Sequence, residues 1–272
     1  MLNDLHNIIR DFASREIIFS NEEQFQFLLA IELLNKKGYN ISLEVLSMEN
    51  DEKMYTDIIV ENDDGTYTAL ELKYKLQNKN LVYKTGSNTT YYTFKQGANN
   101  LGRYAYLQDV ERLERLIHKR YITNDPTHEN ITFNFDPRKK VTKGYAIIIS
   151  NDQNYWKEIS TDRLSSGFSL EHETTISSGY HTWQIKLDEN DNWIDGNSKV
   201  WSKIIPISNP GDRNKYMKQK KKPANLDYVI LDNDYDCKWE DYSPNIISCL
   251  DYNSNKRQKE NYEFKYLILE VN

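Results

Sequence analysis

The first forty residues place apolar side chains at the spacing of an α-helix. Apolar positions over 3–12 predict a first helix. A second helix is predicted to begin near Ser20, because Glu23 follows it at the spacing of a capping box, and to end at Gly38. Its apolar residues predict one broad buried face: Phe25, Leu28, Leu29, Leu33 and Leu34.

After residue 40 the pattern changes to the alternation of β-strands. Strands are predicted over 41–46, 54–61 and 66–75. The sequence "NDDG" at 62–65 joins the last two as a hairpin, because Asn, Asp and Gly tolerate the positive φ of a tight turn. Residues 77–93 are polar and irregular and predict a long loop.

The rest of the chain alternates one long helix with strands. Apolar spacing predicts a helix over 94–121. The apolar run at 144–150 suits a central strand that is covered on both faces. Further strands are predicted over 180–187, 225–232 and 264–271. This order predicts an α/β fold: one domain over 1–272, with a central mixed β-sheet flanked by helices.

Composition and charge bring nucleic acid into consideration only locally. The chain has 20 Tyr, 5 Trp and a formal net charge of -6, so its overall charge is unlike that of proteins that bind nucleic acid by charge alone. One stretch, "RNKYMKQKKK", is strongly basic and is either a solvated loop or an arm that contacts phosphates. Its charged residues are Arg213, Lys215, Lys218, Lys220, Lys221 and Lys222.

Several other functional classes find no support in the sequence. Cys237 and Cys249 lack zinc-ligand spacing and are expected to be thiols in a reducing cytoplasm. No apolar stretch reaches the ~20 residues that span a membrane, and no signal peptide is visible, so we expect a soluble cytoplasmic protein without membrane contact. The five histidines form no recognisable pattern with a nucleophile, and no Walker-type phosphate loop is present.

Three charged residues lie on the two predicted strands of the hairpin. Glu71 and Lys73 are two residues apart, so their side chains point to one face, ~7 Å apart along the strand. Asp57 begins the run "DIIV", and a charge among apolar neighbours is costly to bury unless it is paired or bound to a metal. Carboxylates hold the hard cations that hydrolyse phosphodiesters. The Leu72 carbonyl between Glu71 and Lys73 supplies a further oxygen ligand. The alternative is a weak surface ion pair.

Two neighbouring helices carry further candidates. Glu22, in the first turn of the second helix, can project toward the strands, whereas Glu23 is explained by capping. Gln96, Asn99, Asn100 and Arg103 form one polar stripe at the start of the long helix. Such a stripe suits phosphate contact near a helix N-terminus, or is an ordinary solvated face.

Together these residues resemble the PD-(D/E)xK nuclease superfamily. The resemblance covers roughly residues 20–150: an acid, then after a hairpin the sequence "ELK", with a glutamate-bearing helix before and a glutamine-bearing helix after. It departs from the family pattern at Thr56, which stands where a proline precedes the first acid.

The resemblance implies a restriction-endonuclease-like core, followed by a β-rich extension over 180–272. It implies that Asp57 and Glu71 bind Mg²⁺, for which Mn²⁺ can substitute, and that Lys73 is the catalytic lysine. Glu22 and Gln96 become auxiliary catalytic residues.

Three hypotheses follow from the sequence. The first is a Mg²⁺-dependent nuclease that acts on nucleic acid, most plausibly DNA, with a homodimer as one arrangement that serves two strands. The second is a module of the same fold that binds nucleic acid or a protein partner with little or no catalysis. The third is a metal-free protein in which Asp57, Glu71 and Lys73 form an ion-pair network.

Overall fold

A mixed six-stranded β-sheet runs through the computed structural model. The structure describes residues 1–49, 52–96, 99–118, 140–159, 165–190, 203–206, 228–254 and 263–272. The helices are α1 (Leu2–Ser14), α2 (Glu22–Lys37) and α3 (Asn99–His118). The strands are β1 (Asn40–Glu49), β2 (Glu52–Glu61), β3 (Tyr67–Lys75), β4 (Leu81–Thr85), β5 (Thr90–Thr93), β6 (Val141–Ser150), β7 (Thr175–Ile176), β8 (Gly179–His181), β9 (Gln184–Leu187), β10 (Lys203–Pro206), β11 (Val229–Leu231), β12 (Tyr235–Asp236), β13 (Glu240–Tyr242), β14 (Ile246–Asp251) and β15 (Phe264–Val271).

The central sheet has the strand order β1-β2-β3-β6-β15-β13. β3 and β6 run parallel, and every other neighbouring pair in it is antiparallel. A three-stranded sheet, β14-β4-β5, and three two-stranded pairs, β7–β12, β8–β11 and β9–β10, complete the described strands. The predicted α/β fold with a mixed sheet is therefore confirmed.

Two hydrophobic layers cover the two faces of the sheet. On one face, α1 and α2 pack on residues that include Leu70, Leu72 and Tyr74 of β3. On the other face, α3 packs on Ala69 of β3 and Ile148 of β6. Since strand residues alternate between faces, Glu71 and Lys73 belong to the face that α3 covers.

The sequence predicted α1, α2 and the first three strands closely. The four apolar residues at helical spacing that predict α1, Leu5, Ile8, Ile9 and Phe12, are all buried. Gly38 ends α2 in the left-handed conformation, with φ of 68°. The predicted buried face of α2 was too broad, because Leu34 at its C-terminal end is 52% exposed.

Three other predicted elements differ from the structure. Residues 77–93 are not one loop, since they contain β4 and β5, which pair as a hairpin. The long helix is helical from Asn99, so Phe94 and Gln96 precede it and do not share a helical stripe with its residues. The strand predicted over 180–187 is split into β8 and β9, which pair with different partners.

The densest aromatic packing of the first layer surrounds Phe19. Its ring contacts those of Phe12, Phe25, Tyr74 and Tyr242, with centroids 5.0–6.2 Å apart. This segment thereby connects α1 and α2 to β3 and β13.

We expect Phe19→Ala to lower the free energy of unfolding by about 3–5 kcal/mol, because the ring is fully buried and leaves a cavity. Phe27→Ala is the matched control: Phe27 is 57% exposed on α2, and its loss should change stability by less than about 0.5 kcal/mol. Urea unfolding measures both. Equal losses in the two variants would contradict the packing described.

Candidate active site at the edge of β3

The candidate site lies where the pairing between β2 and β3 ends. The two strands pair only from Ile58 with Leu70 to Glu61 with Tyr67. Beyond that point β3 continues to Lys75 beside β6, while β2 continues beside β1. The β3 amides that face β2 therefore have no strand partner beyond Leu70, and buried amides need an acceptor.

Three side chains supply those acceptors. Asp57 Oδ2 accepts from the Leu72 amide at 2.6 Å, and Glu22 Oε2 accepts from the Tyr74 amide at 2.9 Å. Gln96 Oε1 accepts from the Leu76 amide at 3.2 Å. Three residues that the sequence predicted for the site thus line one edge of β3 at alternate positions.

The start of α2 explains why Glu22 is available for this role. The helix is capped by Asn21, whose side chain accepts from the Gln24 amide at 2.9 Å. The sequence placed the cap at Ser20 with Glu23 as its partner, which is wrong by one residue. Glu23 is exposed, and Glu22 in the first turn reaches across to β3.

Gln26, one helical turn after Glu22, positions the Asp57 backbone. Its Nε2 donates to the Asp57 carbonyl oxygen at 2.7 Å and to Glu44 Oε1 at 2.6 Å. Glu44 has a φ of 49° and interrupts the β1–β2 register opposite Asp57. Gln26 had no predicted role, although its i,i+4 spacing from Glu22 places both residues on one helix face.

The other charges of the site come from α3. Arg112 donates to the Glu71 carboxylate through both Nε and Nη2, and the distance from Nε to Oε1 is 3.0 Å. Its Nη2 also donates to Asp109 Oδ1 at 2.9 Å. Asp109 Oδ2 lies 2.8 Å from Lys73 Nζ, and Glu22 Oε1 lies 3.8 Å from the same nitrogen. The Glu71 and Asp109 side chains are only 1% and 6% exposed.

Asp109 and Arg112 are site residues that sequence reasoning missed. They lie in the sequence "QDVERLERL", where charges spaced three and four apart are typical of a solvated helix face. Their neighbours Val110 and Leu113 are fully buried on the sheet. The signal that could have found them is this interruption of the buried face of α3 by an acid and an arginine.

Burial and crowding of like charges shift the pKa values of Asp57 and Glu71 upward. Burial raises the pKa of Asp57 to about 6, against the opposing effects of the Leu72 amide and Lys73. Burial also raises the pKa of Glu71 well above its ordinary value, and Arg112 opposes this while Asp109 and Asp57 add to it.

Lys73 is held in its charged form. Burial disfavours that charge, but Asp109 and Glu22 outweigh burial and raise the pKa of Lys73 above its ordinary value. Its Nζ also donates to the Leu72 carbonyl oxygen at 3.2 Å. Lys73 is thus a protonated cation surrounded by oxygen atoms.

The oxygen atoms of the site are of the type that binds a hard cation, although they do not form a complete coordination shell. Asp57, Glu71 and the Leu72 carbonyl supply oxygen ligands of the type that Mg²⁺ prefers. Among the described residues, Asp57 makes no ion pair, whereas Arg112 holds Glu71. In the part of the chain that the structure describes, no group of three or more His, Cys, Asp and Glu side chains is arranged to hold a metal ion.

A polar cavity of about 270 Å³ adjoins Gln96. It is lined by Gln77, Asn78, Lys79, Gln96, Asn99, Asp152 and Asn154. The cavity lies just beyond the C-terminal end of β3, where amide side chains and one lysine offer both donors and acceptors.

Of the charged residues that were predicted to contact phosphate, the structure describes only Arg103. Arg103 is 2% exposed and donates to the Asn154 carbonyl oxygen at 2.8 Å and to Ser165 Oγ at 3.0 Å, so its predicted contact with phosphate is at variance with its burial. The basic stretch with Arg213, Lys215, Lys218, Lys220, Lys221 and Lys222 lies outside the described residues.

Comparison with known proteins adds no family to this description. No family model, no curated protein and no solved structure matches the chain at a significant level. None of the described helices is long and apolar enough to cross a membrane. The resemblance to the nuclease superfamily therefore rests on the site residues.

The raised pKa of Asp57 predicts that its ionisation lowers the stability of the folded protein in a pH-dependent way. The folded protein binds this proton more tightly than the unfolded chain, so stability falls as the pH rises from the ordinary value of 3.8 to about 6 and stays lower above it. We expect Asp57→Asn, which keeps an acceptor for the Leu72 amide, to be roughly 1–3 kcal/mol more stable than wild type at pH 8 in EDTA.

Urea unfolding at pH 5 and pH 8 measures the difference, which should shrink at the lower pH. Asp241→Asn is the control, because Asp241 is 70% exposed and pairs with Lys265 at the surface. A variant of Asp57 that is less stable than wild type at pH 8 would contradict the assignment.

Proposed function

We propose that this protein is a metal-dependent nuclease that hydrolyses phosphodiester bonds, with DNA as its substrate and Mg²⁺ as its cofactor. The observation that carries the proposal is that Glu22, Asp57 and Gln96 line one edge of β3, while Glu71 and Lys73 of the same strand face α3 and Lys73 Nζ lies 3.8 Å from Glu22 Oε1. Buried acids whose charges are partly uncompensated are typical of functional sites.

Asp57, Glu71 and the Leu72 carbonyl would hold the cation. Three buried carboxylates repel one another here, since Asp109 and Asp57 raise the pKa of Glu71. A divalent cation relieves that repulsion, which is the sense in which these residues fit Mg²⁺. When bound, the cation lowers the pKa of a water molecule and polarises the phosphoryl oxygens.

Lys73 would stabilise charge on the substrate. The sequence left open whether this lysine orients the water, deprotonates it or stabilises negative charge. With its pKa raised by Asp109 and Glu22, Lys73 is a poor base and a good electrostatic partner for a phosphoryl oxygen. Glu22 and Asp109 hold the ammonium group in place.

The polar cavity beside Gln96 offers room for the nucleotide next to the scissile phosphate. Its amide side chains can exchange hydrogen bonds with sugar and base edges, and its two charged residues are Lys79 and Asp152. The basic stretch from Arg213 to Lys222 remains a proposed phosphate-binding arm. Arg103 is no longer part of the proposed interface, because it is buried.

Two such sites would cut both strands of a duplex in one binding event, so a homodimer belongs to the proposal. We also place the protein in the cytoplasm. Cys237 and Cys249 are both buried free thiols, as expected in a reducing compartment.

One observation favours a second candidate. Arg112 already neutralises Glu71, and Asp109 already neutralises Lys73. A protein of this fold that only binds nucleic acid or a protein partner, or a metal-free protein with a buried ion-pair network, would need no more than these contacts. Cleavage and metal binding separate the candidates.

We expect purified wild type to nick supercoiled DNA and to degrade linear DNA when Mg²⁺ or Mn²⁺ is added, and not in EDTA. Asp57→Asn and Lys73→Met should each lower the rate by about 100-fold or more, because each removes a group that contacts the reacting phosphate or its cation. Lys238→Met should leave the rate unchanged, since Lys238 is 78% exposed and pairs with Asp236. An RNA substrate in parallel tests the choice of DNA, and no metal-dependent cleavage of either would refute the enzyme.

Metal binding has a readout that does not depend on cleavage. We expect saturating Mn²⁺ to stabilise wild type by about 2–3 kcal/mol at 100 times the Kd, because the cation binds only the folded state. Glu71→Gln and Asp57→Asn should lose most of this gain, while Asp241→Asn should keep it. Thermal unfolding with and without Mn²⁺ measures the gain, and its absence in wild type would favour the metal-free candidate.

A further inference from the structure

The charge balance of the site singles out Arg112. Four acids, Glu22, Asp57, Glu71 and Asp109, face three cations, Lys73, Lys75 and Arg112. Among the described residues Asp57 is the acid of this group that makes no ion pair. A divalent cation beside Asp57 brings two positive charges to a site that lacks one, and the resulting surplus of positive charge weakens the binding of the cations already there.

Of the three cations, Arg112 is the one whose partner the incoming metal needs. It occupies the carboxylate of Glu71 with both Nε and Nη2, and that carboxylate is a proposed metal ligand. Its side chain is 22% exposed, so a path to solvent is open, whereas Lys73 is 14% exposed and bound to Asp109. Lys75 pairs with Glu22 at 3.4 Å and does not contact Glu71 in the described structure.

We propose that Arg112 is a built-in competitor of the divalent cation: it holds Glu71 until the metal binds, and it leaves Glu71 when the metal arrives. Asp109 keeps Arg112 nearby at 2.9 Å, so the guanidinium can return when the cation dissociates. This inference rests on the proposed nuclease function. It makes Arg112 a positioning residue, which sets the affinity for metal without contacting the substrate.

Direct Mn²⁺ binding to the full chain at pH 8.0, measured by calorimetry, tests the competition. We expect Arg112→Gln to bind Mn²⁺ about tenfold more tightly than wild type, the scale of coupling within one ion-pair network. Arg115→Gln is the matched control, because Arg115 lies one turn on and pairs with Glu111 at 3.9 Å. In a Glu71→Gln background, Arg112→Gln should bring no gain. Unchanged or weaker binding by folded Arg112→Gln would overturn the competition.

A second measurement uses wild type alone, in case Arg112→Gln fails to fold. The Arg112 Nε–H group donates to Glu71 at 3.0 Å, and its proton resonance reports that contact. Saturating Mg²⁺ should shift this resonance and leave that of Arg115 in place. An unmoved resonance in a chain that cleaves DNA with Mg²⁺ would overturn the role of Arg112 and leave the proposed function standing. No Mn²⁺ binding to wild type or to Arg112→Gln would overturn both.

Discussion

The candidate site depends on one backbone constraint: two β2-facing amides of β3, and a third just after the strand ends, have no strand to bind. Leu72, Tyr74 and Leu76 point these amides into the gap that opens where β2 leaves β3. A buried amide without a hydrogen-bond acceptor lowers the stability of the fold by about 1–3 kcal/mol, so the fold requires an acceptor at each position. Asp57, Glu22 and Gln96 meet that requirement, and the same requirement brings two carboxylates and an amide to one edge. The side chains that satisfy the backbone amides are thus among the side chains to which the proposed chemistry is assigned.

The alternation of strand residues accounts for how much of the site could be predicted. Because Glu71 and Lys73 alternate with Leu70 and Leu72, the sequence alone placed them on a shared face, and that face is the one under α3. Glu22 was predicted from its position in the first turn of α2, even though the cap is Asn21 and not Ser20. The structure agrees with these positions because they depend on local geometry alone, while the roles of the three residues stay predictions.

The parts of the site that the sequence did not reveal depend on contacts between distant segments. Asp109 and Arg112 were not predicted, because their interruption of the buried face of α3 gains its meaning only from Lys73 and Glu71 of β3 as partners. Arg103 was predicted to contact phosphate, and the structure shows it buried, with hydrogen bonds to Asn154 and Ser165. Gln96 was expected on a helix and lies before it, where it still reaches Leu76. Tertiary packing determines the surroundings of all four residues, and this packing cannot be read from a single sequence.

The strand order has a consequence for synthesis of the chain. β15 is an interior strand that pairs with β6 on one side and with β13 on the other. The hairpin of β2 and β3 emerges from the ribosome almost two hundred residues earlier. Until residue 271 has been made, β6 has an unpaired apolar edge, which is a template for association with other chains. The nascent polypeptide therefore spends most of its translation with the central sheet incomplete, and a chaperone that shields the β6 edge would act during that interval.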